Sequence, residues 1–385
     1  MPWKSGTTMS LRLEFVQLAC QEGSNISQLC RGFGISRETG YKWLRRFRQS
    51  GGDPRSLVDR SRRPHTSPNP SPPCVQQAVL RARAQHPAWG GRKIRALLLK
   101  AEHTGVPPAS TITAILHRHQ QIDPAESRKH RPFQRFEMEA PNQLWQMDFK
   151  GYFPLTEGQY CHSLTVLDDH SRFLVGLRAC ADQTCGTVQA ELTAIFRCYG
   201  LPQRMLMDNG SPWGDDAETR HTKLTAWLIR LGIAISHGRP YHPQTQGKDE
   251  RLHRTLNDEL LSRHAFARLD DCQEAFDQWR QLYNCQRPHE ALDMGCPDQR
   301  YRPSSSLFPD PLPPVLYNGH DMVRKTDAGG RIHFTNRALR IGKAFRHQPV
   351  AIRPTDTDQV FDVFFSKQKI AVISLAHDPP HLQKV

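Results

Sequence analysis

The sequence predicts a multidomain protein with two N-terminal all-α units, a central α/β part and a small C-terminal all-β unit that is barrel-like. Three observations predict this arrangement. Apolar residues recur at helical spacing up to about residue 120, strand-like apolar runs begin at Pro141, and alternating apolar runs dominate residues 317–385. A chain of 385 residues is also too long for one ordinary core, so two to four domains are expected.

Basic residues are concentrated at the N-terminal end of the chain. The whole sequence has 52 Lys and Arg against 38 Asp and Glu, which gives a net charge of +14. Residues 1–135 contain 23 basic and 8 acidic residues, whereas residues 136–385 contain 29 and 30. A local positive field of this size favours a polyanionic partner such as nucleic acid. The alternative is an Arg-rich surface that serves only solubility.

The ten cysteines are scattered, with no CxxC pair and no Cys/His finger spacing. Neither a zinc finger nor a large disulfide framework is therefore predicted. No apolar run approaches the length of a membrane span, and the N-terminus has no signal-peptide pattern. We expect a cytoplasmic protein with no membrane partner.

The first helical unit, residues 1–50, is predicted to be a helix-turn-helix DNA-binding domain. Asn25 or Ser27 caps its second helix, Gly34 supplies the tight turn, and Ser36 caps the third helix. The third helix carries basic residues suited to a major groove and its flanking phosphates: Arg37, Lys42, Arg45, Arg46 and Arg48. The alternative is a plain three-helix bundle with a solvated basic face.

Residues 51–73 are rich in Ser, Pro and Arg and are predicted to form an extended, partly polyproline-like linker. Three arginines in this linker, Arg60, Arg62 and Arg63, are placed to follow a phosphate backbone. The linker is thus expected to add to DNA affinity without reading bases.

Residues 74–135 contain three further helical segments that favour a second helix-turn-helix-like DNA-binding domain. Ser110 is the predicted cap of its last helix. Among its basic positions, Arg92 and Lys93 are the candidates for DNA contact. The pattern is weaker here than in the first unit.

Three acidic residues of the central part stand out by their positions. Asp148 lies in the first predicted strand, Asp208 ends a short buried strand, and Glu250 lies in the first turn of a helix. Two acids at neighbouring strand positions and one across from a helix would form a single carboxylate cluster. Clustered carboxylates repel one another without cations, and Mg²⁺ prefers such oxygen ligands, so a metal site is predicted.

Each acid alone also has an ordinary structural explanation. Asp208 before Asn-Gly fits a turn residue, and Glu250 near a helix start favours the helix dipole. Asp168 and Asp169 also end a strand, and we interpret them as hairpin-turn residues. Only the combination of the acids with their surrounding segments is specific.

Four segments resemble motifs of the DDE-type transposases of bacterial insertion sequences: LWQMDFKG, LTVLDDHSRFLVG, MDNGSPW and HGRPYHPQTQGKDERLHRTL. These enzymes share the catalytic core of retroviral integrases. The resemblance covers residues 141–302 and implies an α/β RNase H-like integrase core, a mixed sheet flanked by helices. The order of two helix-turn-helix units, core and C-terminal β domain (317–385) agrees with this family as well.

The resemblance implies that Asp148, Asp208 and Glu250 form the catalytic and metal-binding triad. Two Mg²⁺ ions per active site are expected, with Mn²⁺ as a substitute. Glu250 is preferred to Asp249 because the second acid of GKDERLHRTL aligns with the family motif. Four basic residues around Glu250 are candidates for contact with DNA phosphate, the alternative being a solvated helix face: Lys248, Arg251, His253 and Arg254.

The expected function is a transposase that binds the terminal inverted repeats of an insertion sequence and catalyses metal-dependent DNA cleavage and strand transfer. Its partner is double-stranded DNA, both element ends and target, and a homo-oligomer on DNA is implied. No small-molecule substrate is expected. The two alternatives are a catalytically silent or domesticated DNA-binding protein or repressor, and a nuclease that cuts without joining.

Overall fold

The structure is a computed structural model that describes residues 7–60, 71–122, 137–208, 210–213, 221–237, 247–376 and 381–384. The chain divides into two compact units, Met1–Pro70 and Ser71–Val385. Within the described ranges, no helix has both the length and the apolar character needed to cross a membrane.

The described part of the first unit folds around three helices: α1 (Thr8–Ala19), α2 (Ile26–Gly32) and α3 (Arg37–Gln49). The side chains of Asn25 and Ser36 cap α2 and α3, which confirms both predicted caps. Gly34 occupies the turn between them with a φ of 62°, a conformation that favours glycine. Trp43 of α3 lies in the small apolar core of this unit.

The second helical unit also has three helices: α4 (Pro73–Gln85), α5 (Gly91–Lys100) and α6 (Ala109–Arg118). They enclose an apolar core that includes the buried side chains of Trp89 and Ile94. The prediction of Ser110 as a helix cap is wrong. The helix starts earlier, with Pro108 at the N-cap, and Ser110 lies in its first turn. The fixed φ of a proline suits the extended backbone at this N-cap, where φ is −56° and ψ is 153°.

The central part is a five-stranded sheet with helices on both faces. Its strands are β1 (Trp145–Pro154), β2 (Tyr160–Asp168), β3 (Leu174–Cys180), β4 (Arg204–Met207) and β5 (Ala234–His237). Its helices are α7 (Cys185–Tyr199), α8 (Lys223–Arg230), α9 (Gly247–Leu256) and α10 (Leu269–Cys285). The strand order is β3-β2-β1-β4-β5, antiparallel from β3 to β1 and parallel from β1 to β5. This is the predicted mixed sheet.

The side-chain alternation of β1 decides which residues face each helical layer. Trp145 and Met147 pack into the apolar cluster formed with α7 and α8. Because successive strand residues point to opposite faces, Gln146 and Asp148 face the layer of α9 and α10. A second apolar cluster, which includes Leu252 of α9, packs between that layer and the sheet.

The C-terminal part is all-β, as predicted. Its strands are β6 (Met322–Lys325), β7 (Arg331–Phe334), β8 (Arg337–Arg340), β9 (Pro349–Pro354), β10 (Val360–Phe365), β11 (Gln368–Ser374) and β12 (His381–Lys384). They form a five-stranded antiparallel sheet in the order β12-β11-β10-β9-β6 and a β7–β8 hairpin. This domain packs on Ala226 and Ile229 of α8. The Gln368 side chain also pairs with both backbone groups of Ile235 in β5.

Candidate active site

Asp148 and Asp208 lie side by side on two neighbouring parallel strands. β1 and β4 pair Gln146 with Leu206, so the same register places Asp148 beside Asp208 two residues further along. The backbone N–H of Gly210 donates to Asp208 Oδ1 at 2.9 Å and fixes this carboxylate at the end of β4. The sheet thus brings together two of the three predicted metal ligands.

The two carboxylates repel each other. Burial, and then the negative charge of Asp208, raise the pKa of Asp148 to about 6. A pair of adjacent carboxylates is a donor set that hard divalent cations prefer, and a cation would remove the repulsion. The residues present therefore fit the predicted metal.

Glu250 lies in the first turn of α9 and its side chain is exposed. The described residues contain no group of three His, Cys, Asp or Glu arranged to hold a metal ion. Residues 238–246, directly before α9, lie outside the described part of the chain. The structure brings Asp148 and Asp208 together but does not bring Glu250 into a three-carboxylate cluster with them.

The inward face of α9 presents Asp249 and His253, which are four residues apart, to the sheet. His253 Nδ1 lies 4.0 Å from Asp148 Oδ2, and its Nε2 lies 2.9 Å from Thr165 Oγ1. Burial and the charge of Lys150 lower the pKa of His253 to about 4. The imidazole is therefore neutral at pH 7 and does not neutralise Asp148. This predicted DNA-contact residue lies half-buried between α9 and β2.

Asp249, the acid that the sequence motif set aside, is buried. Burial, and then the charges of Asp148 and Asp169, raise its pKa well above the usual value. Its Oδ1 has no hydrogen-bond partner among the described residues. Because burial disfavours the charged form of this carboxyl group, Asp249 is a poorer candidate for a metal ligand than the exposed Glu250.

Asp168 and Asp169 do lie at a hairpin turn between β2 and β3, as interpreted, but both are fully buried. Asp168 accepts hydrogen bonds from the backbone of Asn142 and from the backbone and hydroxyl of Ser171. Their role in holding the fold was missed. A possible signal was the unbroken polar run DDHSR between two strongly apolar strands, because polar groups in such a position need internal partners.

Lys248, a predicted DNA-contact residue, is paired inside the protein. Its ammonium group donates to the carboxylate of Asp169 and, at 3.3 Å, to the backbone carbonyl of the same residue. Burial, and then the charge of Arg172, lower the pKa of Lys248 to about 8, although the ion pair opposes this. Lys248 therefore stays charged at pH 7. Sequence reasoning assigned this charge to solvent or DNA.

The DNA-contact residues predicted in the first helical unit, in the linker and on α9 differ in exposure. Exposed side chains available to a partner are those of Arg37, Lys42, Arg45, Arg48, Arg60, Arg251 and Arg254. Arg46 is half-buried, and its guanidinium lies over the Trp43 ring at 4.9 Å. Arg62 and Arg63 lie outside the described residues.

Arg92 and Lys93 of α5 lie where the second helical unit meets the central part. Arg92 forms an ion pair with Glu290 at 3.3 Å. Lys93 is half-buried, and burial, followed by the charge of Arg287, lowers its pKa to about 8. Lys93 thus faces the protein's own surface, whereas the Arg92 side chain remains 69% exposed.

A carboxylate at the far end of the α9 segment anchors this junction. α9 continues into a π-helical turn, Asn257–Leu261, which carries Glu259. Glu259 accepts hydrogen bonds from the indole N–H groups of Trp89 and Trp279, each at 3.2 Å, and from Arg287 Nε at 2.9 Å. One carboxylate therefore joins the second helical unit, the helix of the candidate site and α10.

Families of known domains match most of the chain. Integrase core domain families match residues 138–243 and 231–297, and the C-terminal domain of IS481 family transposases matches residues 321–380. A helix-turn-helix domain matches residues 11–65, and a homeodomain-like domain matches residues 39–116. These domains, in this order, confirm the family and the fold class expected from the sequence.

Curated relatives come from insertion elements. The uncharacterized 31.7 kDa protein of insertion element IS407 from Burkholderia multivorans is 28% identical over 160 residues, 42% of this chain and 55% of the relative. The uncharacterized 39.2 kDa protein of IS476 from Xanthomonas euvesicatoria is 29% identical over 181 residues, 46% and 50% of the two chains. The chain thus spans about half the length of the curated relatives it matches.

Among solved structures, the HTLV-2 integrase catalytic core domain in complex with magnesium, in its trimeric form, aligns with a TM-score of 0.32 and 18% identity. The alignment covers 43% of this chain and 99% of that one.

Proposed function

We propose that the chain is a DDE-type transposase of a bacterial insertion sequence, which binds the ends of such an element and catalyses metal-dependent DNA cleavage and strand transfer. The observation that carries this proposal is that Asp148 in β1 lies beside Asp208 at the end of the parallel strand β4, inside the segment matched as an integrase core. Ordinary folding gives no reason to place two repelling carboxylates there.

Asp148, Asp208 and Glu250 are the residues that would hold two divalent cations, Mg²⁺ or Mn²⁺. When bound, such ions supply the charge stabilisation that phosphodiester cleavage and transesterification need. The protein keeps Asp148 available for this role. His253 is neutral at pH 7, and Lys248 is paired with Asp169, so neither side chain neutralises Asp148.

The N-terminal helices supply DNA binding. The exposed basic residues of α3 are suited to the major groove and its phosphates, and Arg251 and Arg254 extend a positive surface beside Glu250. Both ends of an element must be joined to one target, which favours a homo-oligomer assembled on double-stranded DNA. We place this activity in the cytoplasm, at the nucleoid.

The first test is strand transfer with purified full-length protein, Mg²⁺ and a labelled duplex that carries the terminal repeats flanking its gene. Joined products are expected with the wild type and are expected to disappear on chelation. Asp208→Asn and Glu250→Gln should abolish cleavage and joining while leaving DNA binding intact, because each loses a carboxylate ligand without losing shape.

Asp249→Asn is the matched control, since Asp249 is a buried acid beside Glu250 whose charged form is disfavoured by burial. This variant should keep most of the joining activity. If Asp249→Asn abolished joining and Glu250→Gln did not, Asp249 would be the third ligand. Salt-sensitive binding without cleavage would favour the silent DNA-binding alternative, and cut ends without joined strands would favour a nuclease.

A further inference from the structure

Asp169 connects β1 and α9, two of the three elements that carry predicted metal ligands of the active site. Its buried carboxylate accepts a hydrogen bond from Gln146 Nε2 in β1 at 2.7 Å and the ammonium proton of Lys248 in α9. Gln146 stands two residues before Asp148, and Lys248 stands two residues before Glu250. The Asp169 carboxylate therefore contacts both β1 and α9, in each case through the residue two positions before a predicted metal ligand.

The anchor itself is firmly held. Asp169 Oδ2 also accepts the backbone N–H of Met138 at 2.8 Å, and the backbone carbonyl of Asp169 accepts from Arg172 Nη1 at 2.8 Å. Arg172 in turn reaches Glu137 at 3.3 Å. A fully buried carboxylate with several donors has little freedom to move, so it fixes whatever it binds.

Lys248 cannot serve DNA without cost to this arrangement. Its side chain is 16% exposed, and its ammonium group donates to two oxygens of a single residue. Turning Lys248 towards a phosphate would take an ammonium donor away from the buried Asp169 carboxylate, which is unfavourable. The exposed side chain of the neighbouring Arg251 has no such commitment to Asp169.

We propose that the Asp169–Lys248 pair is a positioning clamp that fixes the first turn of α9, and with it Glu250, relative to Asp148, and that Lys248 is not a DNA contact. The clamp rests on the proposed function, because it acts through Glu250 on metal binding. Residues that orient metal ligands typically change metal affinity or activity by about 10- to 100-fold when mutated.

The test compares Lys248→Met, Asp169→Asn and the double variant in the full-length protein, with Arg251→Met as the matched loss of one charge on the same helix. Mn²⁺ affinity is measured by calorimetry without DNA, and DNA binding is measured as a function of salt without metal. Each clamp variant should bind Mn²⁺ about 10-fold more weakly, and the double variant should be no worse than the poorer single variant. The salt slope should stay at the wild-type value for Lys248→Met.

Arg251→Met should show the opposite pattern, with unchanged Mn²⁺ affinity and a salt slope about one unit smaller. Lys248→Arg, which keeps a cation for Asp169, should restore Mn²⁺ affinity and guards against a variant that merely misfolds. The clamp is refuted if Lys248→Met loses salt slope and keeps Mn²⁺ affinity, or if the two single losses add. Because Mn²⁺ binding is read without catalysis, a wild type that binds Mn²⁺ but never joins DNA would refute the proposed function alone.

Discussion

The two helical units have similar sequence patterns but different surroundings. In the first unit, α3 presents exposed Arg37, Arg45 and Arg48. In the second helical unit, the exposed Arg92 of α5 forms a surface ion pair with Glu290, and Lys93 of α5 lies half-buried near Arg287. The second unit is held to the central part by polar contacts, and the first unit forms a compact body of its own.

This difference shows that a basic helix does not by itself identify a DNA-reading helix. Whether a basic side chain is available to DNA depends on whether acidic or buried polar groups of the same chain already bind it. Lys100 illustrates the point, since its ammonium group donates to the backbone carbonyl of Cys285 at 3.2 Å. In the second helical unit, the charge of Lys93, which the sequence assigned to DNA, lies against the protein instead.

The largest expected effect is the loss of stability when the buried tryptophan of each helical unit is replaced. Trp43→Ala and Trp89→Ala should each destabilise their own unit by about 3–5 kcal/mol, because each removes a large core side chain. Pulse proteolysis with mass spectrometry of the fragments should show Trp43→Ala opening only residues 7–60. Trp89→Ala should also loosen α9 and α10, since it removes a donor to Glu259. Equal protection of α9 in both variants would refute the docking.

The next largest expected effect is the loss of stability when the Glu259 carboxylate, which joins the second helical unit to the central part, is replaced. The Glu259 and Arg287 side chains are each 9% exposed, so Glu259→Gln leaves a buried guanidinium without its anion and should cost about 3 kcal/mol. In the first unit, Arg12 pairs with Asp59, which is 68% exposed, and Asp59→Asn should cost below about 1 kcal/mol. Urea denaturation, followed separately for each helical unit, measures both decreases in the free energy of unfolding. Similar losses would mean that the Glu259 junction is no tighter than a surface pair.

The smallest expected effect concerns Lys93, whose pKa is about 8 in the folded protein against 10.5 unfolded. The folded state therefore disfavours its charge below pH 8, and this penalty is relieved as the pH rises towards 10.5. Lys93→Met should stabilise the protein by about 1–3 kcal/mol at pH 7 and by much less near pH 10. Urea denaturation at the two pH values measures this.

Arg45→Met is the contrasting variant from the first unit. Since Arg45 is exposed, its loss should leave stability nearly unchanged and weaken DNA binding by about 1–3 kcal/mol. If Lys93→Met lost as much DNA affinity as Arg45→Met, Lys93 would be a DNA-contact residue after all.

Much of the fold was predictable because local patterns dominate it. Helical spacing, the caps at Asn25 and Ser36 and the glycine turn defined the first unit, and apolar strands defined the sheet. Ser110 was misplaced because a proline two residues earlier starts the helix equally well. Such boundary errors arise where two residues compete for the same local role.

The candidate site was predictable only in part. Asp148 and Asp208 were found because strand ends and a family motif coincide, and the register of β1 and β4 places them together. The burial of Asp169, Asp249 and Lys248 was missed because it depends on contacts between segments about 80 residues apart. A run of charged residues in the sequence suggests an exposed surface, because the sequence alone does not show which residues of other elements will pair with them.

The helical run from Gly247 through the π turn to Leu261 has a mechanical consequence. It carries Glu250 near one end and Glu259 near the other, about 13 Å apart at 1.5 Å of rise per residue. That span corresponds to roughly four base pairs of stacked DNA. The helical run therefore sets both the distance between Glu250 and Glu259 and their relative rotation about the helix axis. One inserted residue between the two glutamates would turn them about 100° relative to each other, so length here sets both spacing and phase.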